Sequence, residues 1–399
     1  MAAADAQLLW LSAKVRNDQF LLYVFDGTPH PSAVDEVRTR AQDCDELRLR
    51  VRDDSRWRYP RWVRGEVEDR QFVEHGTAEW QQCLDVLSRA DQLDATVMNW
   101  RMHVFRSESR CVVAIQMTHA FADGNRAAAL AGVLLGRRTG PPPVLTPNRG
   151  FLPWRGLMAA RTHRHFERDV EAGRIPAPDG PRPLSGVNAA PSGAPAFRTL
   201  ELLRENLSGP TVTIGAMVAI SEALGGYLAA RGEDISRLGA EVPMASAHAR
   251  ARNNFRNVGV GLFPELDRQA RAGRIAAELA AHRRRGAHPA MRASEAAFAA
   301  VPASVLRWGV GKFDPTARTP AVTGNTVVSS VNRGLADLAF GGCPVVLTAG
   351  YPALSPMQSL THGVHGIGER LAISVHADTG NVNVEEYVDR LSDALGLQS

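Results

Sequence analysis

The residues that decide the fold are CVVAIQMTHAFADG, positions 111–124. Cys111 to Met117 is a run of strand length, apolar and rich in β-branched residues. It ends at His119, passes through Asp123 and Gly124, and enters Ala127 to Leu135, whose apolar spacing predicts a helix. A histidine at a strand end can be held rigidly at the mouth of a cleft. With an ordinary pKa of about 6.5, its imidazole accepts a proton at cellular pH. Gly124 supplies backbone freedom to the turn, and Asp123 is expected to pair with a nearby arginine and fix it. Taken alone, H-x-x-x-D-G also fits a structural histidine capping a strand. The preceding run, Trp100 to Phe105, predicts a second strand that pairs with Val112 to Met117 across the turn Arg106 to Arg110, setting the histidine strand inside a sheet. That context favours chemistry.

Outward from this segment, the first 135 residues mix strand-like runs such as Phe20 to Phe25 with helical ones, Ala33 to Cys44 and Glu79 to Leu87. Gly140-Pro141-Pro142-Pro143 and the Pro/Gly/Ser-rich stretch Ile175 to Ala196 mark a crossover or linker. The expected organisation is therefore an N-terminal unit over 1–140, a crossover over 141–196 and a C-terminal unit over 197–399. The second half is again mixed: a helix over Thr211 to Arg231, strands over Val322 to Val331 and Leu371 to Val375, and a last helix over Val384 to Leu395. Asn383 reads as the N-cap of that helix, with Glu385 and Glu386 favourably placed in its first turn. No internal repeat of fixed period is visible.

With 44% hydrophobic and 22% charged residues over 399 positions, the chain is neither disordered nor fibrous and is long enough for two cores. A net charge of +4, carried almost entirely by arginine because only Lys14 and Lys312 are lysines, does not imply nucleic acid binding. Cys44, Cys83, Cys111 and Cys343 are widely spaced and read as buried reduced thiols. No apolar run approaches the roughly 20 residues of a membrane span, and the N-terminal residues do not read as a signal peptide, so a cytoplasmic location is expected. There is no G-x-S-x-G elbow, and Gly309-Val310-Gly311-Lys312 is too short for a phosphate loop. His163, His165, Glu167, His362 and His365 match no metal-site spacing. Phe151 to Arg161 interleaves aromatics with arginines, a pattern shared by packed crossover helices and interfacial membrane segments.

An ordered series of segments resembles the bacterial wax ester synthase/diacylglycerol acyltransferase family, within the group sharing the chloramphenicol acetyltransferase fold. It comprises Asp5 to Trp10, Tyr59 to Val63, the Trp100 strand, H-x-x-x-D-G, Thr211 to Thr213, Leu224 to Arg231, Val242 to Met244, Asn253 to Pro264, Val328 to Val331 and Leu371 to Asp378. The resemblance implies an α/β (mixed α+β) fold of two such subdomains facing each other, with the site in a tunnel between them. It makes His119 the general base for attack of a hydroxyl on an acyl-coenzyme A thioester, with Asp123 orienting and Gly124 beside it. Thr118, Ser329, Ser330 and Asn254 are the candidate substrate contacts, the serines as oxyanion donors or, equally, as hydroxyls bonded to neighbouring backbone. Acyl-coenzyme A is then a substrate, and no cofactor or metal is implied. A long-chain alcohol or diacylglycerol is the expected acceptor, with peripheral attachment to a membrane or lipid inclusion following from such substrates. Three positions depart from the family pattern: Thr118 replaces the first of two histidines, Thr213-Ile214 replaces Asn-Asp, and residues 329–334 replace Ser-Asn-Val-Pro-Gly-Pro. These departures keep open a specialised-metabolite hydroxyl or amine as acceptor, or a catalytically silent binding protein.

Overall fold

The computed structural model describes residues 1–145, 150–246 and 250–397. Among these, two six-stranded mixed sheets dominate. The first runs, edge to edge, Ala339–Phe340, Cys343–Tyr351, Gln19–Asp26, Arg110–Met117, Trp100–Arg106 and Phe72–Thr77. The second runs Phe255–Gly261, Gly239–Ala245, Thr326–Asn332, Leu360–Ile367, Arg370–Asp378 and Pro195–Leu203. The predicted hairpin is present: Trp100 pairs with Met117 and Arg106 with Cys111, antiparallel throughout.

One strand breaks the division into consecutive halves. Cys343–Tyr351 comes from the C-terminal part of the chain yet pairs antiparallel with Gln19–Asp26 in the first sheet, Phe20 opposite Tyr351. The physical reason lies in the composition of Gln19–Asp26. Its residues Phe20 to Phe25 are buried on both faces, so the strand must be central, with hydrogen-bonded neighbours on both sides. Arg110–Met117 supplies one neighbour and Cys343–Tyr351 the other.

Each sheet has its own core on one face. Beneath the first, Ala33–Asp43 and Gly124–Leu134 pack against Tyr23, Phe25, Trp100 and Ile115. Beneath the second lie Val212–Ala229 and Val384–Leu395. Val212–Ala229 is long and apolar enough by composition to span a membrane, but it is largely buried as the core helix of the second half. Its nearly uniform apolarity follows from packing against sheet, the C-terminal helix and Arg268–Ala287. The C-terminal helix begins as expected, with the Asn383 side chain accepting from Glu386 N. A third apolar cluster, containing Phe20, Leu22, Phe197, Ala349, Tyr351 and Ala372, holds the two sheets together.

The crossover region contains a 20-residue helix, Leu152–Glu171, that rests on Pro289–Ala299. It anchors through its C-terminal part, where Phe166 is buried and His288 Nε2 bonds Asp169 at 3.2 Å. Its first turns are different: Phe151, Trp154 and Leu157 are 72%, 61% and 56% exposed.

Candidate active site

The strand Arg110–Met117 ends two residues before His119, and a three-residue turn carries the chain to the helix Gly124–Leu134. Successive residues on leaving a strand point in opposite directions, and here that separates Thr118 from His119. Thr118 is buried, with Oγ1 on Asn99 Oδ1 at 3.1 Å and its amide on the Asn99 carbonyl at 3.0 Å. It therefore anchors the turn to the core and does not line the cleft, contrary to its expected role as a substrate contact. His119, on the opposite side, lines a cleft of about 400 Å³ between the sheets.

The imidazole is held by residues distant in sequence. His119 Nδ1 lies 3.0 Å from Asn253 Oδ1. The Asn253 amide can face only one way, because Nδ2 donates to Asp5 Oδ1 at 3.1 Å and to the Ala120 carbonyl at 3.3 Å. Its oxygen therefore faces the histidine, which puts the proton on His119 Nδ1 and leaves Nε2 as the basic lone pair. Asp5, 1% exposed, also accepts from the backbone amides of Arg252 and Asn253. Burial pushes the Asp5 carboxyl above its usual range, against those hydrogen bonds. Burial also lowers the His119 pKa, opposed by its own backbone carbonyl, by Asn253 and by the charge of Asp123. The resting imidazole is thus neutral at pH 7, as a base requires. Phe255 stacks beside it, ring centroids 5.4 Å apart.

Asp123 does fix the turn, but with backbone amides in place of the expected arginine side chain. Oδ1 caps the helix by accepting from Arg126 N at 2.9 Å, and Oδ2 accepts from Asn254 N at 3.0 Å. The Arg126 guanidinium is committed to Glu46, which also binds Arg252. Asp123 thereby stitches the histidine turn to the loop that carries Asn253. Gly124 sits at a close approach: a Cβ there would lie 3.1 Å from Val331 Cγ2 on the facing sheet, which would have to give by a few tenths of an ångström.

Asn254, Ser329 and Ser330 all line the cleft with His119. Strand alternation separates the serines. Ser330 shares a face with buried Val328, and its Oγ accepts from Thr213 Oγ1 at 2.9 Å. The Ser329 hydroxyl has no partner among the described residues, which makes it the better placed of the two for a ligand. The tunnel expected between the halves takes the form of two cavities sharing a wall. A second pocket of about 480 Å³, lined by Ala2, Ala3, Ala296 and Phe298 and rimmed by Arg155, Arg250 and Arg292, meets the cleft at Asn254 and Phe255. Phe255, stacked on His119, stands between them. Among the described residues no cluster of three or more His, Cys, Asp or Glu is placed to hold a metal ion. His362 is bonded within the core to Tyr387 and Thr326.

The chain matches no family model, and no curated protein matches it in sequence. Its architecture is nonetheless shared. It superposes on the wax ester synthase/diacylglycerol acyltransferase from Marinobacter aquaeolei VT8 with a TM-score of 0.62 at 16% identity, covering 99% of this chain and 97% of that one. A variant of the starter condensation domain of rhizomide synthetase RzmA, solved in complex with C8-CoA, gives a TM-score of 0.62 at 14% identity, covering 99% and 93%. Another variant, with C8-CoA and Leu-SNAC, gives 0.60 at 15% identity, covering 99% and 92%. The fold is that of these enzymes. Two mixed sheets with a cleft between them, expected from the motif series, are what the chain forms, and the shared fold extends over its whole length.

Proposed function

We propose that this chain is an acyl-coenzyme A dependent acyltransferase whose base is His119, esterifying a lipid-like alcohol such as a long-chain alcohol or diacylglycerol. The observation that carries the reading is the Asp5–Asn253–His119 chain, which leaves one imidazole nitrogen unprotonated beside a cleft and a second pocket. His119 Nε2 takes the hydroxyl proton as the oxygen attacks the thioester carbonyl. When the tetrahedral intermediate collapses, the C–S bond breaks and the same nitrogen returns the proton to the thiolate. No acyl-enzyme is needed. A general base contributes about 10²- to 10⁴-fold, so positioning and oxyanion stabilisation supply the rest. Ser329, whose hydroxyl has no partner among the described residues, is the donor best placed for the latter. The apolar pocket with its arginine rim suits the acyl chain and the phosphates of coenzyme A, and the cleft, the more polar of the two, suits the acceptor.

The exposed face of Phe151, Trp154, Leu157 and Met158, flanked by Arg155, Arg161 and Arg164, supports peripheral docking on an anionic membrane or lipid inclusion from the cytoplasmic side. Failure to pellet with anionic liposomes at low salt would remove that element. The altered segment 329–334 favours, as a second reading, a hydroxyl or amine acceptor other than a simple lipid. The deciding experiment is acceptor-dependent thiol release from acyl-coenzyme A, with hexadecanol or diacylglycerol, in wild type and His119→Ala. Release confined to non-lipid acceptors moves the assignment to the second reading. Absence of release with any acceptor leaves a binding protein.

A further inference from the structure

Arg333 follows the strand Thr326–Asn332 and is 4% exposed, yet it lines the cleft. Nη1 donates to Thr348 Oγ1 at 2.6 Å and reaches the Leu22 carbonyl at 3.4 Å, Nε has no partner among the described residues, and the Tyr23 ring centroid lies 5.1 Å from the guanidinium carbon. Among the described residues no carboxylate neutralises it. The acids lining the same cleft are bound elsewhere. Asp18 accepts from Leu93 N and Gln116 through Oδ2, and although its Oδ1 has no partner among the described residues its charge is met by Arg16 and Arg101; Asp123 accepts from two backbone amides and Glu241 from Asn257. His365, 5% exposed, lines the cleft as well, and its Nδ1 also has no partner among the described residues. The backbone leaves room for both side chains: a Cβ on Gly350 would lie 2.7 Å from Arg333 Nη2 and 2.9 Å from His365 Cε1. Burial depresses the charged form of both groups, and at His365 the Arg333 charge adds to it, so His365 is a neutral imidazole offering one N–H.

A buried cation without a counter-ion costs several kcal/mol, and an apolar side chain of similar size would fill the space without that cost. A ligand that brings the missing negative charge removes it. One guanidinium and one neutral imidazole match a single negative charge on two oxygens, which is a carboxylate, better than a dianionic phosphate. We propose that the cleft takes an acceptor carrying a carboxylate as well as its reacting hydroxyl, with Arg333 as the counter-ion and His365 as the second donor. This rests on the reading of the cleft as the acceptor side of an acyltransferase; it takes the second acceptor reading, one other than a simple lipid, and narrows it to a hydroxy acid.

The test compares hydroxybutyrate and hydroxydecanoate with their methyl esters, in wild type, Arg333→Met, Arg333→Lys and His365→Gln, by thiol release and by ligand-induced shifts in Tm. Wild type is expected to favour acid over ester. Arg333→Met should lower the acid-to-ester ratio in kcat/KM by about ten- to a hundredfold, the range for one charge-assisted contact, with Lys intermediate. Without ligand, the Tm of Arg333→Met should not fall, since an unpaired buried charge has been removed. Equal use of acid and ester by wild type, an unchanged ratio in Arg333→Met, or stabilisation by glycerol phosphate in preference to the hydroxy acids overturns the proposal. If hydroxy acids raise the Tm of wild type but not of Arg333→Met while no acceptor releases thiol, the carboxylate site stands and the acyltransferase reading fails. Turnover of neutral alcohols with no response to hydroxy acids does the reverse: the acyltransferase reading stands and the carboxylate site fails.

Discussion

The molecule builds the same turn twice, and only one copy carries a histidine. In the first sheet, the hairpin Trp100–Arg106/Arg110–Met117 leads through residues 118–122 to Asp123, the N-cap of a helix. In the second, Leu360–Ile367/Arg370–Asp378 leads through residues 379–382 to Asn383, again an N-cap. The backbone bonds correspond: Thr118 N to Asn99 O and Phe121 N to Thr118 O in one, Asp378 N to Ser359 O and Asn381 N to Asp378 O in the other. His119 and Thr379 open the two turns. Surroundings separate them. The turn of His119 faces the opposite half, where Asn253 and Asn254 reach it, whereas Asp378 is consumed by the amides of Ser192 and Gly193 and Thr379 by Ala194. A turn becomes a candidate catalytic element here because a second body of protein supplies its partners.

The comparison breaks first on activity. His119→Ala should lower acceptor-dependent thiol release by about a hundredfold or more, whereas Thr379→Ala should change it less than about twofold. Equal losses would mean that both turns act only through stability. Next are the caps, read by urea unfolding. Asp123→Ala removes acceptors from two amides, Arg126 N and Asn254 N, and should cost about 2 to 3 kcal/mol; Asn383→Ala loses one and should cost about 1 kcal/mol. Similar values would show that the link to the loop is energetically idle.

Acid should separate the two sheets. Burial lowers the pKa of His103 in the first sheet to about 4, and in the second that of His376 to about 4 and of His362 to about 3. With folded values below the unfolded one of about 6.5, the unfolded chain binds protons that the folded one refuses. Their contribution is present above pH 6.5 and lost as pH falls towards 4, at up to about 1.4 kcal/mol per pH unit for each histidine. Urea midpoints between those pH values should fall less steeply in His362→Gln with His376→Gln than in His103→Gln. The smallest effect is expected at Gly124→Ala. At the first position of its helix the added methyl gains less than the ~1 kcal/mol of an interior site, and it meets Val331 at 3.1 Å, so stability should be nearly unchanged while activity drops a few-fold. A larger loss of Tm would show that the sheets cannot part there.

Much of this is legible in the sequence, for local reasons. The strands around Phe20, Trp100 and Cys111 and the helix capped by Asn383 follow from periodicity and cap chemistry, and His119 from its place at a strand end. What lies out of reach is long-range. Asn253 sits 134 residues after His119, and Asp5 lies 248 residues before Asn253, so no spacing connects them. Asp5 opens the first segment of the motif series, but a buried carboxylate near the start of a chain carries no local sign of its partners. Thr118 turns away from the cleft because neighbours in sequence leave a strand on opposite sides. Asp123 finds amides in place of an arginine because Glu46 claims Arg126. The repeated turn is hidden at the level of sequence because its likeness lies in backbone hydrogen bonds, which many side chains permit.

The strand Cys343–Tyr351 also dictates an order of events during synthesis. As the chain leaves the ribosome, Gln19–Asp26 can pair with Arg110–Met117 early, but its other edge stays open until some 230 further residues have been made. That waiting edge reads FLLYVF, an apolar segment of the kind that recruits another chain. The nascent N-terminal half should therefore depend on chaperones, and a fragment ending near residue 140 should precipitate or oligomerise, staying soluble only when the remainder is supplied alongside it.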